Sequence, residues 1–269
     1  MLYIFIVAAT PREAGAIPSP AVELLGVPIW GLTLEGFVAL ARARLRARQK
    51  TLFTTAPGGS VVLASRMPEL HAHFRAADVV LPDGMLTVWS ARLVGARLAA
   101  RVTGPDFAAA LLGEAEREGF GVFFLGSTDD VLGAIRRNLR ARHPRLRVCG
   151  TLAPPFGELD GETDRRLIGA VNAAAPDILF VGMTCPRQEL WLSRCIDRLV
   201  SPFSMGIGYA FDLLAGSKRR APAAVGRVGL EWAWRLAHEP RRMWRRTLTT
   251  GMLPLLVLRE RVLGRATHH

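Results

Sequence analysis

Cysteine is scarce. Cys149, Cys185 and Cys195 are the only three in 269 residues, and no two form a CxxC pair. An odd, widely spaced set makes neither a disulfide frame nor a zinc knuckle, so the chain reads as cytosolic and reduced. The six histidines follow no metal-ligand spacing; His71 and His73, in the polar run Glu69–His73, read as solvated surface residues. A GxGxxG opening a helix after a strand is missing, as are GxxxxGK[ST] and GxSxG, which disfavours a dinucleotide oxidoreductase, a P-loop enzyme and an α/β-hydrolase. A metal-binding DxD is also absent; Asp160-Gly161-Glu162, in a Pro/Gly-rich stretch, reads as a turn. No run reaches the ~18–20 apolar residues that span a bilayer. The apolar start, Met1 to Thr10, lacks a basic leader and is interrupted by Arg12 and Glu13, so residues 1–23 are expected to be an N-terminal extension, not a secretion signal.

Acid is short relative to base: 23 Asp and Glu face 35 Lys and Arg, a net charge of +12. The excess is concentrated. From Ser217 to the end there are twelve Lys/Arg against three Glu, together with Trp232, Trp234 and Trp244. Residues 221–269 are therefore expected to form a basic, Trp-containing helical appendage that meets an anionic surface, lipid headgroups or nucleic acid.

The rest is rich enough in apolar residues, at half the chain, to bury a substantial core. Strand-like runs at Leu25–Trp30, Thr51–Thr55, Val79–Leu81, Gly121–Leu125, Leu146–Gly150, Asp177–Val181 and Phe203–Ile207 alternate with helical patterns at Leu34–Arg48, Gly84–Val94, Phe107–Glu118, Asp129–Arg142, Asp164–Ala174 and Gln188–Leu199. That alternation predicts an α/β domain over 24–220, Rossmann-like, with a mainly parallel sheet and helices on both faces. Ser127-Thr128-Asp129-Asp130 and Thr103-Gly104-Pro105-Asp106 carry helix-start signals.

Chemistry in such folds gathers at the C-terminal ends of strands. Three loops qualify. Asp83 follows the apolar run Val79–Leu81 and serves either as a general base or as a cap for the helix from Gly84. Gly126 ends another strand beside a helix start, where N–H groups can meet phosphate. Thr184-Cys185-Pro186-Arg187-Gln188-Glu189 can cradle a nucleotide or sugar through backbone N–H groups and the Gln188 amide, or simply cap a turn. A further cluster, Gly208 to Asp212 followed by Arg219 and Arg220, sets an acid beside arginines suited to phosphate.

Taken in order, the blocks Leu25-Gly26-Val27-Pro28-Ile29, Ala77 to Gly84, Arg101 to Asp106, Phe124-Leu125-Gly126, Pro154-Pro155-Phe156, Pro176 to Gly182, Pro186-Arg187-Gln188-Glu189, Phe211-Asp212, Arg220-Ala221-Pro222, Gly229-Leu230-Glu231-Trp232 with Arg235, and Glu239-Pro240-Arg241-Arg242 resemble the WecG/TagA/CpsF glycosyltransferase family over Leu24 to Thr247. The resemblance implies an inverting transfer of sugar from a UDP-sugar to a lipid-linked acceptor of the undecaprenyl-diphosphate type, in bacterial cell-envelope or exopolysaccharide biosynthesis. It implies Asp83 as base, Thr55 lining the pocket, and Gln188 and Arg101 in the active site, with the tail arginines, Arg220 and Arg235 among them, helping neutralise UDP. No metal or other cofactor is expected, since arginines and helix N-termini can hold the diphosphate. The implied location is the inner face of the cytoplasmic membrane, with the basic tail on anionic lipid; a homo-oligomer is left open.

The sequence departs from the family at three positions. Pro57 stands where an asparagine is expected after Thr55-Ala56, Arg187 replaces a lysine, and Cys185 stands where a small residue precedes the proline. N-acetylmannosamine, its uronic acid and glucose remain alternative donor sugars. Two other classes compete: a non-enzymatic protein using the tail on nucleic acid or membrane, and a nucleotide-sugar oxidoreductase. The first carries no RNP, KH, zinc or basic-zipper signature, and no nucleic-acid partner is expected.

Overall fold

The computed structural model describes residues 15–157, 159–218, 220–222, 225, 231–238 and 240–266. Residues 1–14, most of the expected extension, lie outside the described residues. Strands β1 (Val22–Leu24) and β2 (Val27–Ile29) form a separate antiparallel hairpin. The expected strand Leu25–Trp30 is thus corrected. Leu25 and Gly26 take φ of 50° and 75° and make a two-residue turn whose twist suits a hairpin.

The main sheet is parallel and six-stranded: β3 (Thr51–Thr55), β4 (Val79–Leu81), β5 (Gly121–Gly126), β6 (Arg147–Leu152), β7 (Ile178–Gly182) and β8 (Phe203–Gly206), in the order β4-β3-β8-β7-β5-β6. Strands β3, β4, β5, β7 and β8 are buried along their whole length, which is why they read as apolar runs without alternation. Helices α1 (Leu34–Arg46), α2 (Gly58–Ala64), α3 (Pro68–Ala76), α4 (Met85–Leu93), α5 (Gly104–Glu118), α6 (Asp129–Arg142), α7 (Gly161–Ala174), α8 (Arg187–Cys195) and α9 (Ala210–Leu214) flank it. In one layer α3 packs on α8; in another α1, α5, α9 and α6 pack in series. The Rossmann-like α/β reading holds.

The order positions the site. From β3 the chain moves outward to β4 at one edge, and from β5 outward to β6 at the other. The connections diverge, so a crevice opens over the ends of the central strands β8 and β7.

Local differences have local causes. Ser127 does not cap α6: Gly126 (φ 140°) and Ser127 (φ 57°) turn the chain first, and Thr128 accepts the Val131 N–H instead. At α5, Thr103 caps as expected, accepting the Asp106 N–H and donating to its carboxylate. Asp160, read as a turn residue, caps α7 by accepting the Thr163 N–H at 2.7 Å. The polar run Glu69–His73 belongs to helix α3, and His73 is corrected from surface to core at 1% exposure. Its ring nitrogens bond Ser193 Oγ (2.8 Å) and Thr54 Oγ1 (3.2 Å), replacing the water it gave up.

The tail is helical where described: α10 (Glu231–His238), α11 (Pro240–Gly251) and α12 (Leu253–Ala266). It does not hang free. Helix α11 packs on α2 and α12 on α4, with Leu253 and Val257 buried. Thr250 and Leu253 press so closely on Gly58 that a Cβ there would lie 3.0 and 3.2 Å from them.

Candidate functional site

A cavity of ≈ 450 Å³ sits over the C-terminal ends of the parallel strands, where the diverging connections leave room. Each element delivers its own groups. Thr55 ends β3, Asp83 follows β4, Ser127 follows β5, and the turn from β7 into α8 supplies Thr184, Arg187 and Gln188. The exit of β8 supplies Gly208, Tyr209 and Asp212, and the tail contributes Glu231, Trp232, Thr247 and Thr250.

Asp83 lies on the cavity wall, half-buried. The N-cap position of α4 is Gly84, with φ 91°, not Asp83 itself. The Asp83 carboxylate accepts from the N–H of Gly104, the first residue of α5, at 3.4 Å. Oriented N–H groups and the positive end of a 15-residue helix form a favourable seat for an anion. Asp83 and Thr55 line the cavity together. A Cβ at Gly104 would lie 3.3 Å from the Thr55 methyl, a tight contact that marks how closely α5 approaches β3.

Gln188 is 5% exposed and works as a strut. Its Oε1 accepts the Gly208 N–H at 3.1 Å and its Nε2 donates to Glu189 at 2.9 Å, tying the α8 start to the exit of β8. Arg187, next to it, donates from Nη2 to the Pro155 carbonyl at 2.7 Å, tethering the β6–α7 loop and the 84%-exposed Phe156 at the mouth of the cavity. The Pro57 that departs from the family lies on the wall and starts α2, its carbonyl accepting from Ser60 and Val61. Ser60 donates its hydroxyl hydrogen bond to Cys185 Sγ at 3.3 Å.

The cationic residues divide. Arg101 lines the cavity and pairs with Glu231 of α10 at 3.0 Å. Arg220 is exposed, does not line the cavity, and holds the Asp106 carboxylate at the α5 start. Arg235 falls on α10, but its side chain lies outside the described residues. Gly126 stands behind the wall, with Ser127 at the surface; Gly126 lets β5 and β7 approach, since a Cβ there would lie 2.5 Å from the Gly182 carbonyl oxygen. Behind the α8 loop, burial pushes the His73 pKa down to about 4, keeping the ring neutral among its hydroxyl partners.

Sequence reasoning missed the tail's share of the wall: Glu231, Trp232, Thr247 and Thr250. Only the Gly229–Trp232 block hinted at it. Among the described residues, no group of three or more His, Cys, Asp and Glu is placed to hold a metal.

The arrangement joins a carboxylate, a buried amide strut and an arginine around one concave site. The chain is 28% identical over 206 residues to the N-acetylglucosaminyldiphosphoundecaprenol N-acetyl-beta-D-mannosaminyltransferase of Bacillus spizizenii, covering 77% of this chain and 78% of that one. It is 32% identical over 186 residues to the enzyme of the same name from Bacillus subtilis, covering 68% and 70%. The profile of the glycosyl transferase WecG/TagA/CpsF family matches residues 22–267, hairpin, sheet and tail together. The chain belongs to the WecG/TagA/CpsF family of glycosyl transferases.

Proposed function

We propose that this glycosyltransferase moves an N-acetylhexosamine, N-acetylmannosamine first among the alternatives, from a UDP-sugar to a saccharide carried on a lipid diphosphate, with inversion at the anomeric carbon. One observation carries the reading: Asp83 and Gln188, far apart in the sequence, line the same cavity.

In this reading Asp83 takes the proton from the acceptor hydroxyl as its oxygen attacks C1. The bond from C1 to the β-phosphate oxygen breaks on the opposite face, and its electron pair leaves with UDP. A single displacement inverts the centre. Charge that grows on the departing diphosphate needs fixed positive groups, and Arg101 and Arg187 are the arginines on the described cavity wall. Thr55 and Asp212 contact the substrates, while Arg220 supports the site through Asp106 without reaching it. The mechanism needs no cofactor, and a chelator should leave the rate unchanged.

A lipid-linked acceptor must be met at the bilayer. No described helix is long and apolar enough to cross a membrane. Helices α11 and α12 instead expose Leu248, Leu255 and Val262 at 63, 71 and 61%, on a tail that carries most of the net positive charge. Apolar side chains entering the headgroup region and arginines near anionic lipid suit peripheral docking on the cytoplasmic leaflet. The charge asymmetry that also fits nucleic acid is explained here without it, and the oxidoreductase alternative lacks its glycine fingerprint.

The test is release of UDP from a series of UDP-sugars, with N-acetylglucosaminyl-diphosphate-lipid in anionic vesicles. Acceptor-dependent release from UDP-N-acetylmannosamine is expected. Release from no UDP-sugar, or release indifferent to acceptor, overturns the proposal.

A further inference from the structure

The structure assigns Glu231 a role in the transfer reaction: it is a positioning residue that holds the Arg101 guanidinium in the cavity, and so makes the site depend on the seating of the tail helix α10. The inference rests on the reading of Arg101 as the cation that meets the donor diphosphate.

Arg101 stands beside the base for backbone reasons. The Val102 N–H donates to the Pro82 carbonyl at 3.1 Å, and the Gly104 N–H to the Asp83 carboxylate at 3.4 Å, so the segment 101–104 is laced to 82–83. This lacing fixes the main chain at Arg101, not the end of a side chain with four rotatable bonds. Its guanidinium is placed by Glu231, at 3.0 Å across 130 residues of sequence. Both side chains are largely withdrawn from water, 20% exposed for Arg101 and 15% for Glu231, so the pair is weakly screened compared with the exposed arginine pairs of this chain. Arg46–Glu118, at 61% exposure on the arginine, is one such pair, and it lies away from the cavity wall.

The carboxylate does two things there. It keeps the guanidinium from swinging out, at the cost of one hydrogen bond that leaves other N–H groups of the fork for an oxyanion. It also offsets the arginine's charge before substrate arrives. Glu231 opens α10, Trp232 beside it lines the same wall, and α10 packs on α11, which rests on α2. The tail that we place on the membrane therefore also reaches the active site, where Glu231 pairs with Arg101.

The test is a double-mutant cycle on the full chain, reading kcat and donor KM with vesicle-borne acceptor, and melting temperature alongside. Glu231→Gln should lower kcat/KM for the donor about tenfold, a coupling ordinary for partners in direct contact. Vesicle binding should not change. In an Arg101→Ala background the same Glu231→Gln change should cost less than about twofold, because there is no guanidinium left to place. The swap Arg101→Glu with Glu231→Arg should restore melting but not turnover. Equal losses from Glu231→Gln in both backgrounds, no loss at all, or an active charge swap would each overturn the role for Glu231. An Arg101→Ala enzyme with full activity would instead overturn the assignment of Arg101 to the diphosphate. If Glu231→Gln melts too early to assay, Glu231→Asp takes its place in both backgrounds: a loss confined to the enzyme that keeps Arg101 supports the inference, and equal losses sink it.

Discussion

Gly126 and Gly182 meet at the end of the β5–β7 seam with almost no space between them: a Cβ on Gly126 would lie 2.5 Å from the Gly182 carbonyl oxygen. Gly182 is itself capped by the Phe211 ring, 2.6 Å from where its own Cβ would be. Gly126 also sits at φ 140°, a region open to glycine alone. Gly126→Ala should therefore lose about 2–3 kcal/mol of stability, the range for overpacking a close contact. In a chain of this size that is a fall of roughly 5–10 °C in melting temperature, read by thermal unfolding. An unshifted melt would mean the seam yields more easily than its geometry says.

Asp83→Asn keeps shape and removes the base. Transfer should drop ~10²–10⁴-fold, the usual worth of a positioned general base. UDP affinity, measured by calorimetry, should hardly change. An active variant takes Asp83 out of the mechanism.

Gln188 is tested by Gln188→Ala. The Gly208 N–H loses its acceptor at a site with little access to water, which costs about 1–3 kcal/mol. The loops after β7 and β8 then separate, so donor KM should rise more than kcat falls. Steady-state kinetics with the donor varied checks the split.

His73 predicts a pH dependence of stability. Burial lowers its pKa from 6.5 to about 4, so the folded state prefers the neutral ring. Stability from this group is complete above pH 6.5 and is lost as pH falls from there toward 4, because the unfolded chain takes up the proton first. Urea unfolding of the wild type against His73→Gln, at pH 7.5 and 5, should show the wild type losing more on acidification. Parallel losses would contradict the assignment.

The tail surface gives the last prediction. Leu248, Leu255 and Val262 are mostly in water, so changing all three to Ser should leave the melting temperature within about 1–2 °C. Flotation with anionic vesicles should fall sharply, since the apolar contribution goes while the arginines remain. Undiminished flotation would move the membrane contact elsewhere.

Much of the frame was legible because its signals are local. The buried strands read as apolar runs, Thr103 announced α5 through its own side chain and Asp106, and the positions of Asp83 and Gln188 follow from strand ends. Helices α2 and α3 were not legible. Two glycines open α2, and His71, His73 and Arg75 make α3 look solvated, although Leu70, His73 and Phe74 face the core. Ser127 looked like a cap because the sequence cannot show that φ is positive there.

By itself, then, the sequence determined the parallel alternation, the loops that carry chemistry and the basic, tryptophan-bearing end, since these depend on residues within a few positions of one another. Only the tertiary structure decided that His73 is neutral and buried, that Arg220 serves Asp106 at the edge of the site, and that Glu231 reaches Arg101. Those outcomes turn on which surfaces meet when segments more than a hundred residues apart are packed together. Desolvation and pairing exist only once they have met.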